Sequence, residues 1–210
     1  MSSILIIGNG PSVKNIDFHK IKTHTFGMNN AYKFYKSMNW HPTYWGCFDN
    51  FNTSQNKKEH LEFFQEEKPT QCFSLMRESG TCPNTIYVNI RSNVYKFGKS
   101  LPFNAWNNVG NTAANCVQIA INKQYENIYL IGIDGGQRKG DINHGWDGYY
   151  KKGERVNDPN EQKYHAPVWR SLKEFAKNNN INVYNCNKES LLLNGLFEIR
   201  DIDNVYSERI

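Results

Sequence analysis

Hydrophobic positions along the chain cluster in short runs separated by longer polar or helical stretches. Runs at residues 4–7, 25–28, 44–48, 72–75, 86–88, 128–131 and 182–184 are too short for helices. Turn residues bound most of them, so they predict about seven buried strands. Two helical stripes stand among these runs. Ala113, Ala114, Val117, Ile119, Ala120 and Ile121 follow Thr112 and lead into the run at 128–131, and Val168, Leu172, Phe175 and Ala176 lead into the last run. Strands alternating with helices predict an α/β protein with a mostly parallel sheet. No repeat or linker interrupts the pattern, and 210 residues suit one core, so residues 1–210 are expected to form a single domain.

The first run passes directly into Gly8-Asn9-Gly10-Pro11-Ser12. Two glycines one residue apart allow a sharp turn and a close backbone approach, and Pro11 suits the first turn of a helix. The N–H groups at such a start favour phosphate, so the junction predicts an anion cradle at the end of the first strand. A dinucleotide fingerprint would need a third glycine and a ribose-binding acid after the second strand. Val13 stands in place of the glycine, and Asn29 and Asn30 follow the second strand. NAD and FAD are disfavoured.

Ligands of open α/β sheets bind outside the carboxyl ends of the strands. The residues there are rich in amides: Asn9, then Asn29 and Asn30, then Asp49 and Asn50, with Gly132 and Asp134 after the strong late strand. Asn and Asp are common in turns, but their convergence on one edge offers donors and acceptors together, as a base, ribose or sugar requires. A nucleotide-like ligand is expected.

Residues 135–164 lack periodicity and are expected to form a lid. Gly135-Gly136 supplies a hinge, and His144-Gly145-Trp146-Asp147-Gly148-Tyr149-Tyr150 supplies aromatic hydroxyls that close over a phosphate or pack back on the body. The acidic spacing after Asp134 does not match a calcium loop, and no metal site is expected. Of six histidines, His19, His24, His41 and His60 read as structural. His144 and His165 lie on or beside the lid, where a neutral imidazole suits proton removal from a hydroxyl. The chain has neither a Gly-x-Ser-x-Gly elbow nor a Walker lysine.

Composition narrows the setting. The net charge of +5 is compatible with an anionic ligand, and without a basic block it does not point to nucleic acid. Five unpaired-looking cysteines suggest neither a disulfide framework nor zinc, which fits a cytoplasmic location. No apolar stretch approaches transmembrane length. Trp40, Trp45, Trp106 and Trp169 suit the core, or an interface in a homo-oligomer.

On these residues the chain resembles the bacterial sialyltransferases of glycosyltransferase family 42. The resemblance rests on Ile6-Ile7-Gly8-Asn9-Gly10-Pro11-Ser12 with Ile16-Asp17, on Phe26-Gly27-Met28-Asn29 with Tyr32, and on Phe48-Asp49-Asn50. It continues through Thr112 to Tyr125-Glu126-Asn127-Ile128-Tyr129-Leu130-Ile131-Gly132-Ile133-Asp134, then His165 with Leu172, Glu174 and Phe175, and Ser190-Leu191-Leu192. It implies a Rossmann-like, doubly wound domain with helices on both faces. Such a domain transfers sialic acid from CMP-sialic acid to a glycan hydroxyl with inversion, without an essential metal or other cofactor, in lipooligosaccharide or capsule synthesis. Asn9, Asn29 and Asn50 would hold the donor, Thr112 would sit near its carboxylate, and Asp134 would line the nucleotide pocket. Tyr149 or Tyr150 would meet the departing phosphate, and His165 would be the base, with His144 its competitor. Gly135 and Gly136 stand where the family has an aromatic pair. Two other readings remain: a pterin diphosphokinase-like enzyme using ATP and magnesium, with Arg138, Asp141 and Asp147 as candidates, and a non-catalytic nucleotide- or glycan-binding module.

Overall fold

The computed structural model describes residues 2–48, 56–66, 68–93, 97, 106–108, 111–135, 144–146, 149 and 161–208. In chain order the strands are β1 (Ser3–Ile7), β2 (His24–Met28), β3 (Tyr44–Cys47), β4 (Gln71–Ser74), β5 (Thr85–Tyr87), β6 (Ile90–Asn93), β7 (Trp106–Asn108), β8 (Asn127–Ile131), β9 (Asn182–Asn185) and β10 (Glu198–Ile199). The helices are α1 (Tyr32–Ser37), α2 (Lys57–Gln65), α3 (Thr112–Asn122), α4 (Glu161–Asn178) and α5 (Ile202–Ser207).

Eight strands form one sheet in the order β10-β9-β8-β1-β2-β3-β4-β5, and each neighbouring pair is parallel. The seven expected strands are all present. The eighth, β10, has two residues, too few to carry a periodicity. β6 and β7 pair separately, and their sequences, IRSN and WNN, lack an apolar run.

Alternation along β1 explains why both faces must be covered. Ile4 and Ile6 face one core with Ile128 and Leu130 of β8, beneath α3 and α4. Leu5 and Ile7 face a second core with Tyr129 and Ile131, beneath α1, α2 and α5. All four β1 side chains are fully buried, as period-two alternation requires of a central strand with helices on both sides. Trp45 and Trp169 lie wholly in the core. Strand order rises to one side of β1 and to the other side of β8, so the topological switch point lies between these two strands.

Candidate functional site

Gly8 and Gly132 end the two strands at the switch point, and the chain closes tightly between them. The Gly8 N–H donates to the Ile131 carbonyl at 2.8 Å and the Gly10 N–H to the Gly132 carbonyl at 2.8 Å. A Cβ on Gly132, where φ is +70°, would lie 2.5 Å from the Gly8 carbonyl oxygen, and one on Gly10 would lie 2.5 Å from Asp134 Oδ2. The glycines are required for strand-to-strand contact.

Asp134 completes the closure. Its carboxylate accepts from the Ser12 N–H at 2.8 Å, the Ser12 hydroxyl at 2.6 Å and Asn187 Nδ2 at 2.8 Å, while the Gly132 N–H donates to Ser12 Oγ at 3.0 Å. The segment after Gly10 is a five-residue 3₁₀ turn, Pro11–Asn15. The anion at its start is the protein's own. The N–H groups of Gly8, Gly10 and Ser12, expected from sequence to face an anion, bond within the protein, and Asp134 clamps one turn to the other.

Asn9 stands apart from this closure. Its side chain leans toward β2, with Nδ2 donating to the Tyr149 hydroxyl at 2.7 Å and more weakly to the Met28 carbonyl at 3.4 Å. Only 9% of Asn9 is exposed, and its Oδ1 is buried with no hydrogen-bond partner. Asn29, at the end of β2, adopts a left-handed φ of 51° that Asn tolerates, and its Oδ1 is likewise buried without a partner. Asn111 Oδ1 caps α3 through the Ala114 N–H at 2.8 Å, placing Thr112 at the first position of the helix, and Asn111 Nδ2 is buried without a partner. An Asn ahead of an apolar helical stripe is a readable cap signal. That signal marks Asn111, one residue before the Thr112 expected at the site.

Part of the expected lid is described. The Gly145 N–H donates to the Asn9 carbonyl at 2.8 Å, and a Cβ on Gly145 would clash with Val13 Cγ2. The His144 and Tyr149 rings stack with centroids 4.1 Å apart, and Trp146 stacks on Phe34 of α1. The Tyr149 hydroxyl also accepts from the Asn30 N–H at 3.3 Å. Of the two arrangements sequence left open, these residues pack back on the body, beside Asn9.

Burial lowers the pKa of His144 to about 4, opposed in part by a hydrogen bond with the Asn9 backbone, and burial also lowers that of His165. Both imidazoles are held toward the neutral form. His165 sits in the first half of α4, one turn before the buried Trp169. Asp49, Asn50 and Tyr150, and with them Arg138, Asp141 and Asp147, lie outside the described residues. Among the described residues no group of three metal-ligating side chains occurs, and no helix is long and apolar enough to cross a membrane. The five cysteines are free thiols.

The site thus belongs to a doubly wound α/β protein whose polar groups converge at the carboxyl edge of β1 and β2. No protein-family model matches the sequence, and no curated protein is similar enough to match it. In fold, the chain is similar to sialyltransferases of known structure. The monofunctional α-2,3-sialyltransferase Cst-I of Campylobacter jejuni matches with a TM-score of 0.60 at 18% identity, over 100% of this chain and 83% of that one. CstII of C. jejuni with the substrate analogue CMP-3FNeuAc matches with a TM-score of 0.58 at 18% identity, over 100% and 90%. CstII with a trisaccharide acceptor and CMP matches with a TM-score of 0.57 at 19% identity, over 100% and 89%. The resemblance found in the sequence motifs extends to the whole fold.

Proposed function

We propose that the chain is an inverting glycosyltransferase of the sialyltransferase kind, moving a sugar from a CMP-activated donor to a hydroxyl of a glycan. The observation that carries this reading is the pair of buried, unpartnered amide oxygens of Asn9 and Asn29 at adjacent strand ends. A buried acceptor left unpaired costs about 1–3 kcal/mol, and ligand N–H or O–H donors would remove that cost at both positions. A nucleotide-sugar carries such donors on its base, ribose and sugar, and the solved neighbours include complexes with CMP and with CMP-3FNeuAc.

In the reaction the acceptor oxygen forms a bond to the anomeric carbon as the bond from that carbon to the phosphate oxygen breaks. The acceptor proton passes to a histidine, and CMP leaves with the electron pair. The base must be neutral beforehand, which burial favours at His165 and His144. We assign the proton to His165, because a pKa of about 4 makes His144 a weak base near neutral pH. Asn9, Asn29, Asn50, Asp49 and Thr112 hold the donor, and Tyr149 with Tyr150 meets the charge that develops on the leaving phosphate. Hydroxyl donors can fill a role that many transferases give to a divalent ion, so no metal is required. Free thiols suit a reducing, cytoplasmic setting.

Magnesium-dependent pyrophosphate transfer gains no support from Asp134, whose carboxylate already accepts three internal hydrogen bonds. The test is thermal unfolding with CMP, UDP, GDP, NADH and magnesium-ATP. CMP is expected to stabilise most, by about 2.7 kcal/mol at one hundred times its Kd, and Asn9→Ala to reduce that stabilisation. A larger effect of magnesium-ATP, or none from CMP, overturns the proposal.

A further inference from the structure

Trp146 and Tyr149 both meet Phe34, a half-buried ring of α1, and Trp146 also meets Tyr35 edge-on and Phe18 of the second core. Phe34 stacks on Trp146 with centroids 5.1 Å apart and planes 7° from parallel, and on Tyr149 at 6.3 Å and 9°. Tyr149 stacks in turn on His144. Phe34 is half-buried and belongs to neither core cluster, whereas Tyr32 and Tyr35 of the same helix point into the core. The sheet does not need this ring for its own packing. Its aromatic contacts are with Trp146 and Tyr149, the same segment whose backbone is fixed to Asn9 by the Gly145 N–H and whose Tyr149 hydroxyl receives the Asn9 amide.

We infer that Phe34 is a positioning residue: it docks Trp146 and Tyr149 on α1 and so fixes the Tyr149 hydroxyl and the His144 ring against Asn9. The inference deepens the proposed transferase function and rests on it for its effect on turnover. The docking itself is independent of that reading. Flat rings held in near-parallel contact restrict the rotation and sliding that would carry the hydroxyl away from Asn9, and a displacement of about 1 Å at a reacting group is enough to slow a reaction severely. Gly145 fits the same arrangement, since any side chain there meets Val13. Phe34 acts through Tyr149 and touches no reacting atom.

The test compares Phe34→Leu, which keeps apolar bulk and removes the ring face, with Phe34→Tyr, which keeps the face. Three quantities are measured on the full chain: hydrogen exchange at the Gly145 amide, the Kd for CMP, and kcat for CMP release from CMP-sialic acid. Phe34→Leu is expected to speed exchange at Gly145 about tenfold or more, the equivalent of losing two ring contacts. It should lower kcat about tenfold, with the Kd for CMP and the midpoint of thermal unfolding little changed. Phe34→Tyr should restore both exchange and kcat. Trp146→Leu should act like Phe34→Leu on exchange. Unchanged exchange in Phe34→Leu, or faster exchange accompanied by a lower unfolding midpoint in both Phe34 variants, overturns the inference. If the wild-type chain releases no CMP, the transferase reading fails while the exchange comparison still decides whether Phe34 docks the segment.

Discussion

Gly8 and Gly132 face each other across the ends of β1 and β8, and two different constraints act on Gly132. Its φ of +70° disfavours an L side chain, and a Cβ there would sit 2.5 Å from the Gly8 carbonyl. Gly195 separates the two, because it has a similar φ of +73° and open space around its Cβ position. Gly195→Ala should lose only the left-handed penalty, about 1 kcal/mol, while Gly132→Ala should lose more than about 3 kcal/mol. Chemical denaturation of both variants checks this, and equal losses would mean that the close approach is not rigid. Asp134→Ala should cost about 2–4 kcal/mol, because it leaves Ser12 and Asn187 donors unpaired. The glycine spacing was legible in sequence and its purpose was not. Gly-Asn-Gly-Pro-Ser has the composition of an anion cradle, but its anion is a carboxylate 122 residues away, and a local motif carries no record of a distant partner. The placement of Asn9 and Asn29 after the first two strands was legible as a run of amides at strand ends, whereas the lack of a partner at each Oδ1 was not.

At the scale of elements, α2 holds an imidazole in an unusual state. His60 is fully buried with both ring nitrogens lacking hydrogen-bond partners, edge-on to Tyr32 and Trp45. Burial pushes its pKa down to about 4, helped by Lys33 and opposed by Glu59. The unfolded chain binds this proton near pH 6.5 and the folded chain resists it. The neutral imidazole therefore stabilises fully above about pH 6.5, and that stability is lost as pH falls toward 4. The loss attributable to His60 should approach about 3 kcal/mol. Unfolding free energies of wild type and His60→Leu between pH 7 and 4 test this: the wild-type value minus the variant value should fall steadily with acid, and a constant difference would show that His60 does not titrate there. His60 is buried as a structural histidine would be, but sequence cannot show that a buried ring lacks partners. Element by element, strands were the most legible feature. A centre strand covered on both faces is expected to be mostly apolar, and β1 and β8 follow that rule after their first residues, Ser3 and Asn127. The two-residue β10 and the polar β6–β7 pair had no pattern to detect.

Across the whole molecule, ligand chemistry and closure of the chain fall at different places on the sheet. Asn9, Asn29 and Gly132 lie at carboxyl ends of strands, whereas the end of the chain returns to the start of β1. Glu208 accepts from the Ser3 hydroxyl at 2.8 Å and from the Tyr129 hydroxyl at 2.6 Å, and the Tyr206 hydroxyl accepts from the Asp17 N–H at 2.8 Å. Val205 of α5 is fully buried in the second core. Removing residues 201–210 would open a cavity at Val205 and unpair Ser3 and Tyr129, lowering stability by about 2–5 kcal/mol. None of these groups belongs to the Asn9–Asn29 site. The truncated chain should therefore unfold at a lower temperature, yet gain the same increment from saturating CMP as the full chain, because ligand stabilisation depends on concentration relative to Kd and not on the starting stability. Calorimetric titration of both forms at a temperature where each is folded provides the comparison. Equal Kd values fit a site supported by β1, β2 and the segment docked on Phe34. A Kd weakened tenfold or more by truncation would mean that the carboxyl-terminal helix holds the strand ends in register.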